Sequence, residues 1–76
     1  MRAHYQDPAQ IRRRRIEAGL TQEALGARAG YSKGHVSGVE RGIAGASAQA
    51  LARLAEALGC EVSDLMAAPE HAPASA

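Results

Sequence analysis

Apolar residues recur at helical spacing in five short segments of this chain, and no segment alternates apolar and polar residues as a half-buried strand does. The clearest segment follows Ser47, where one helical face carries Ala50, Leu51, Leu54, Ala55 and Leu58. Because no single short apolar stripe can bury itself, the five must pack together. The pattern therefore predicts an all-α fold, a compact bundle of five short helices.

Residues that favour helix ends mark the boundaries of these segments. Asp7 is expected to cap helix one, with Pro8 at the first helical position. The N-caps predicted for the next four helices are Thr21, Ser32, Ser47 and Ser63, and the glycines expected to end the first four are Gly19, Gly30, Gly42 and Gly59. The residues expected to face inward on the first three helices are Ile11, Ile16, Ala18, Leu25, Gly26, Ala29, Val36 and Val39, and the last short helix carries Leu65 and Met66.

Composition divides the chain into one domain and two ends. Residues 7–66 are predicted to form the domain, residues 1–6 a flexible N-terminus, and the alanine- and proline-rich residues 67–76 a disordered tail. A single core in a chain of 76 residues rarely contributes more than about 3–5 kcal/mol, so oligomerisation is a natural supplement.

Charge is distributed unevenly along the chain. Residues 1–42 hold eight Arg or Lys against four Asp or Glu, whereas residues 43–76 hold one Arg against four acidic residues. A basic half favours an anionic partner for that half. A solvated, charged helix surface is an equally good explanation of the charge alone.

Several classes of protein are disfavoured by what the sequence lacks. One cysteine, Cys60, allows no internal disulfide, and no apolar run approaches the roughly 20 residues that span a bilayer. The N-terminus has no apolar signal region, so a cytoplasmic location is expected. His4, His35, His71 and Cys60 lack metal-ligand spacing, and no catalytic pair or phosphate loop stands out, so we expect no cofactor, no metal site and no enzyme activity.

Helices two and three have a specific relation to each other. Leu25 and Ala29 face inward on the first, Gly30 supplies the turn, and Val36 and Val39 face inward on the second. Two short helices joined by a short turn containing glycine are typical of a helix-turn-helix. Gly26 fits this arrangement, because the backbones of crossing helices approach closely only where one residue is small.

The segment from Ile11 to Met66, 56 of the 76 residues, resembles the Cro/repressor-type helix-turn-helix family, which is common in bacteria and their phages. The resemblance is carried by G-L-T-Q-E-A-L at 19–25, V-E-R-G at 39–42 and L-A-R-L-A-E-A-L-G at 51–59. It implies a lambda-repressor-like bundle in which helices two and three form the helix-turn-helix. It also implies sequence-specific binding of double-stranded DNA to regulate transcription.

The resemblance also assigns roles to individual residues. The exposed side of helix three is expected to lie in the major groove, with base contacts from Ser32, Lys33, Gly34, Ser37 and Gly38. Phosphate contacts are implied for Gln22, Arg41 and Ser47, and an ion pair for Arg15 with Glu40. Arg12 and Arg14 join the phosphate contacts because the arginines at 12–14 cannot all face the core, so at least two must meet solvent or phosphate. The alternative for each of these polar residues is an ordinary solvated surface position.

A homodimer on a palindromic operator is expected, with the dimer surface formed by Leu58, Cys60, Val62, Leu65 and Met66. Cys60 is interpreted as a small core or interface residue and His35 as a partly buried structural histidine. Two departures from the family favour an alternative, a protein-binding module (antitoxin-like or adaptor) with weak DNA affinity. Gly34 and Gly38 replace side chains that usually read bases, and the loop after Gly42 carries no charge. Under the first hypothesis, the bare backbone of these two glycines lets helix three sit closer to the bases.

Overall fold

The computed structural model describes residues 6–66, which form four α-helices and one short 3-10 helix. Their bounds are α1 (Pro8–Glu17), α2 (Gln22–Ala29), α3 (Lys33–Glu40), α4 (Ala48–Leu58) and η1 (Val62–Leu65). The predicted all-α class is confirmed, and the last of the five predicted helices is the 3-10 turn. The predicted tail at 67–76 and the predicted flexible N-terminus, apart from Gln6, lie outside the described residues.

Side-chain hydrogen bonds cap the four α-helices at the residues that the sequence predicts. The side-chain oxygen of each cap residue accepts a backbone N–H two or three residues further on, at 3.0–3.1 Å. The four cap residues are Asp7, Thr21, Ser32 and Ser47. Gly30 and Gly59 end α2 and α4 with φ angles of 86° and 72°, a left-handed conformation that suits glycine. The helix ends are therefore fixed by local chemistry.

The prediction that Ser63 caps the last helix is wrong. Glu61 is the N-cap residue of η1, and its backbone N–H donates to the Asp64 carboxylate at 2.9 Å. Ser63 lies inside the turn. A carboxylate reaching back to the preceding N–H satisfies that donor, and so the turn begins two residues earlier than expected.

One core forms between the helices. The largest fully buried side chains come from every element: Ile11, Leu25, Val36, Val39, Leu51, Leu54 and Leu65. The smaller alanines 29, 46, 50 and 55 complete it, and Leu58 packs against its edge. Within this core α2 packs against α3, and α4 packs against α2 and η1.

Two residues predicted to face inward on α1 do not. Ile16 is 51% exposed, and Ala18 is also exposed. The inward position one turn after Ile11 belongs to Arg15, whose charge is paired inside the protein. Because Ile16 follows Arg15 directly, it points away from the core.

Gly26 lies where α2 meets the turn into α3. Its carbonyl oxygen accepts the N–H groups of Gly30 and Tyr31, both at 2.7 Å, which folds the turn tightly over it. A Cβ atom at position 26 would collide with the backbone carbonyl oxygen of Tyr31. The prediction that this crossing needs a glycine is confirmed.

The two ends of the described chain meet. The Asp7 N–H donates to the Leu65 carbonyl at 2.8 Å, and Gln6 and Met66 form an antiparallel bridge. These contacts tie the start of α1 to η1. Within the residues described, no helix has both the length and the apolar character needed to cross a membrane.

Replacing Gly26 by alanine is expected to lower the free energy of unfolding by about 1–3 kcal/mol or more, because the obstructing atom belongs to the backbone and cannot rotate away. The matched control is Gly34→Ala on α3, where the nearest neighbour of the new Cβ is Ser32 Oγ at 3.9 Å. That change is expected to stabilise the protein by about 0.5–1 kcal/mol through helix propensity. Urea unfolding followed by circular dichroism measures both, and equal stability of the two variants would contradict the close approach at Gly26.

Candidate nucleic-acid interface

The start of α3 is open to solvent. Ser32, Lys33 and Gly34 are all exposed, and Ser37 is half-buried. Lys33 and Ser37 lie four residues apart and therefore share one face. Four of the five residues predicted to contact bases thus lie on or beside an accessible surface.

Gly38 is the exception, and the prediction that it faces outward is wrong. Gly38 is buried, and its carbonyl oxygen accepts the N–H groups of Ile43 at 3.0 Å and Ala44 at 3.1 Å. A Cβ at position 38 would stand 3.2 Å from the Ala44 Cβ. The loop after α3 folds back onto this glycine, and helical periodicity cannot predict such a tertiary contact.

A buried ion pair connects α1 to α3. Arg15 Nε donates to Glu40 Oε2 at 2.6 Å, and Arg15 Nη2 donates to Glu40 Oε1 at 3.1 Å. The Glu40 side chain is only 1% exposed and that of Arg15 12%. Arg15 Nη1 also donates to the Leu20 carbonyl at 2.8 Å, in the turn before α2. The ion pair that the family resemblance implies is therefore present. It joins α1 to α3 and, through the Leu20 carbonyl, contacts the turn before α2.

Gln22 completes this network at the start of α2. Its Nε2 donates to Glu40 Oε1 at 3.1 Å. A primary amide nitrogen carries two hydrogens, so Glu40 takes one and the other can reach an acceptor outside the network. The first-turn N–H groups and the helix dipole favour an anion at the same place. The contact with Glu40 thus fixes the orientation of the Gln22 side chain at the start of α2.

The other residues predicted to contact phosphate have different surroundings. Arg12 and Arg41 are exposed, while Arg14 Nη2 lies 3.5 Å from Asp64 Oδ1 in a half-exposed pair. Ser47 is exposed and its Oγ already accepts the Ala50 N–H as a helix cap. A surface pair at that separation contributes little stability, so Arg14 can exchange Asp64 for another anion.

His35 and Tyr31 pack against each other beside the exposed face of α3. Their ring centroids are 4.9 Å apart, and His35 Nε2 is buried without a hydrogen-bond partner among the described residues. This agrees with a structural role for His35. The sequence pattern assigns Tyr31 no role in the site. The one feature that marks it is its position directly after Gly30, the glycine of the turn.

Ile43 is the second residue that sequence reasoning missed. It is 70% exposed in the loop between α3 and α4. The loop from Gly42 to Ala46 contains glycine, alanine and this one large side chain. A single large apolar side chain among small residues is the feature of the sequence that marks Ile43.

The residues predicted to form the dimer surface are only partly available. Leu65 is fully buried in the core, so its assignment to that surface is wrong. Its inward position follows from η1 closing under α1 and α4. Leu58, Cys60 and Met66 are half-buried, and Val62 is 38% exposed.

Burial raises the pKa of the Cys60 thiol, Arg14 opposes this shift, and Asp64 and Glu61 add to it, so the unreactive thiol form is favoured. Among residues 6–66 no group of three His, Cys, Asp or Glu side chains is placed to hold a metal ion.

Comparison with known proteins gives consistent matches. A family model described as helix-turn-helix matches residues 11–65. An uncharacterized HTH-type transcriptional regulator of Sinorhizobium fredii is 39% identical over 61 residues, covering 80% of this chain and 79% of that protein.

Two solved structures are similar over most of the chain. The restriction-modification controller protein C.AhdI from Aeromonas hydrophila has a TM-score of 0.76 at 36% identity, covering 78% of this chain and 86% of that one. The P22 c2 repressor in complex with a synthetic operator has a TM-score of 0.74 at 32% identity, covering 78% and 89%.

Removing Arg15 is expected to be far more damaging than removing its neighbour Arg13. Arg15→Ala leaves the Glu40 carboxylate buried without its cation, which costs about 3–5 kcal/mol. Arg13 pairs with Glu17 at 3.2 Å, but both side chains are more than half exposed. Arg13→Ala therefore costs about 0.2–1 kcal/mol. Chemical unfolding of both variants measures the difference, and similar losses would show that the ion pair does not organise the fold.

Proposed function

Because the chain belongs to the helix-turn-helix family of DNA-binding transcriptional regulators, we propose that it acts as a homodimer on a palindromic operator, with α3 of each copy in the major groove. The observation that carries this proposal is the exposed N-terminal half of α3, held by the Arg15–Glu40 pair beside the oriented amide of Gln22. A helix in the major groove presents its N-terminal residues to base edges. This proposal places the protein in the cytoplasm with its target DNA.

Lys33 and Ser37 are the side chains proposed to read bases from α3. A lysine ammonium can donate to guanine O6 and N7, and a serine hydroxyl can bond several base edges. Ser32 lies at the helix start, while Gly34 offers open backbone beside them. With so few side chains available, discrimination is concentrated in Lys33.

Phosphate contacts are proposed on both sides of α3. Gln22 supplies its second amide hydrogen from the start of α2, and Arg12 and Arg41 supply exposed guanidinium groups. Arg14 joins them by leaving Asp64, and Ser47 marks the exposed start of α4. Each phosphate neutralised by a cationic side chain releases counterions and steepens the salt dependence of binding.

The proposed dimer surface lies at the end of α4 and along η1. Leu58, Cys60, Val62 and Met66 bring partly exposed apolar surface together there. Two-fold pairing of this surface would present the two α3 helices to half-sites about 34–36 Å apart. A small domain gains stability from such burial.

A protein-binding module with weak DNA affinity is the second candidate. The uncharged loop from Gly42 to Ala46 and the missing side chain at Gly34 favour it, because both remove groups that hold DNA. The two candidates differ in the salt dependence of duplex binding.

The affinity for duplex DNA is expected to fall steeply with salt, and Lys33→Ala is expected to reduce the slope of log affinity against log salt by about one unit. Arg53→Ala is the control, since Arg53 lies on α4 outside the proposed interface, and its slope is expected to equal the wild type. Fluorescence anisotropy across a salt series measures all three proteins. A wild-type slope near zero would favour the protein-binding module instead.

Val62→Asp is expected to shift the protein from dimer to monomer at concentrations where the wild type is dimeric, because it introduces a charge into an apolar contact. Ile16→Asp is the matched control, since Ile16 is also exposed but lies on α1 away from this surface. Sedimentation velocity over a concentration series reports the molecular mass. If Ile16→Asp dissociates the dimer and Val62→Asp does not, the dimer surface lies on α1 instead.

A further inference from the structure

Ile43 has the largest exposed fraction among the large apolar side chains of residues 6–66, at 70%. It begins the loop after Gly42, and no residue from Gly42 to Ala46 carries a charge. This loop follows the helix proposed to enter the major groove, and phosphates offer nothing to an isoleucine. Its exposure therefore raises the question of what apolar group it meets.

The position of Ile43 relative to α3 is fixed by two hydrogen bonds. Ile43 and Ala44 both donate their N–H groups to the Gly38 carbonyl, which holds the loop against the helix. The Ile43 Cγ1 atom lies 3.8 Å from the place where a Cβ at position 38 would stand. The loop thus brings the Ile43 side chain beside Gly38, one of the two positions on α3 that have no side chain.

Resting on the proposed function, we propose that Ile43 replaces the missing side chain at position 38 and reads the operator by contacting the 5-methyl group of thymine. Gly38 lies four residues after Gly34 and one after Ser37, so this position adjoins the face assigned to the groove. The thymine methyl is the one apolar group that a base pair presents in the major groove. An isoleucine at the edge of the helix can bury it, whereas it can make no hydrogen bond to a base.

This role also explains why the loop lies so close to α3. A Cβ at position 38 would crowd the Ala44 Cβ at 3.2 Å and come into ordinary contact with Ile43 Cγ1 at 3.8 Å, so the glycine leaves the loop room to lie against α3. Gly38 permits the contact, and Ile43 supplies the surface. Specificity would then come from two segments, with Lys33 reading polar base edges and Ile43 reading a methyl group.

The test uses the full chain and an operator selected by the protein from a random duplex library. Each thymine in that operator is replaced in turn by deoxyuridine, which removes only the 5-methyl group. At one position in each half-site the wild-type affinity is expected to fall about three- to fivefold, the equivalent of burying one methyl group. Ile43→Ala is expected to bind with equal affinity to the thymine and uracil duplexes.

The control is Ile16→Ala, which removes the same side chain from an exposed position on α1. It is expected to keep the full preference for thymine. Circular dichroism confirms that both variants are folded, as their exposure leads us to expect.

Two results would overturn the inference while leaving the proposed function intact. One is specific binding that no deoxyuridine replacement weakens, and the other is a preference for thymine that survives Ile43→Ala. If Ile43→Ala keeps that preference and also loses the dimer, Ile43 belongs to a contact between copies. Absence of salt-dependent duplex binding would reject the inference and the proposed function together.

Discussion

The carboxylate of Glu40 is the point on which the helix-turn-helix is assembled. It receives hydrogen bonds from Arg15 on α1 and Gln22 on α2, while it is itself carried by α3. A buried ion pair adds little net stability compared with apolar packing, since desolvation offsets most of the attraction. Here the pair sets orientation. Hydrogen bonds from Arg15 and Gln22 to one carboxylate fix the angles between the helices that carry them, and a small apolar core alone would hold those angles only loosely. The orientation of Gln22 follows from the same carboxylate that anchors α1.

The features that the sequence predicted well depend on chemistry between near neighbours. Asp7, Thr21, Ser32 and Ser47 cap helices within three residues of themselves, and Gly30 ends α2 by its own backbone freedom. Most of the errors come from contacts between residues further apart in the chain, and the exception is the cap of η1, where Asp64 binds the N–H of Glu61 three residues earlier. Arg15 occupied the inward position that hydrophobicity would give to its neighbour Ile16, since the charge of Glu40 cannot be seen from helical periodicity. Leu65 was assigned to an outer surface because nothing in the sequence shows that η1 closes beneath α1.

The three glycines spaced along residues 34–42 have separate explanations. Gly42 adopts a φ angle of 78°, which suits the end of a helix, and Gly38 permits the following loop to approach. Only Gly34 stands in open space, so the idea that a bare backbone brings the helix nearer to the bases now applies to that residue alone. Helical periodicity places Gly34 and Gly38 on one face, but it carries no information about which neighbour meets each position.

The bridge between Gln6 and Met66 has a consequence for how the domain is made. The hydrogen bond from Asp7 to Leu65 joins the first helix to the last turn, and Leu65 is itself a core residue. During synthesis the N-terminal helices leave the ribosome first, yet the residue that closes the core emerges last. Because this contact spans almost the whole described chain, its loop-closure entropy must be met before η1 can dock against α1. The domain therefore completes its folding only after translation has passed Met66.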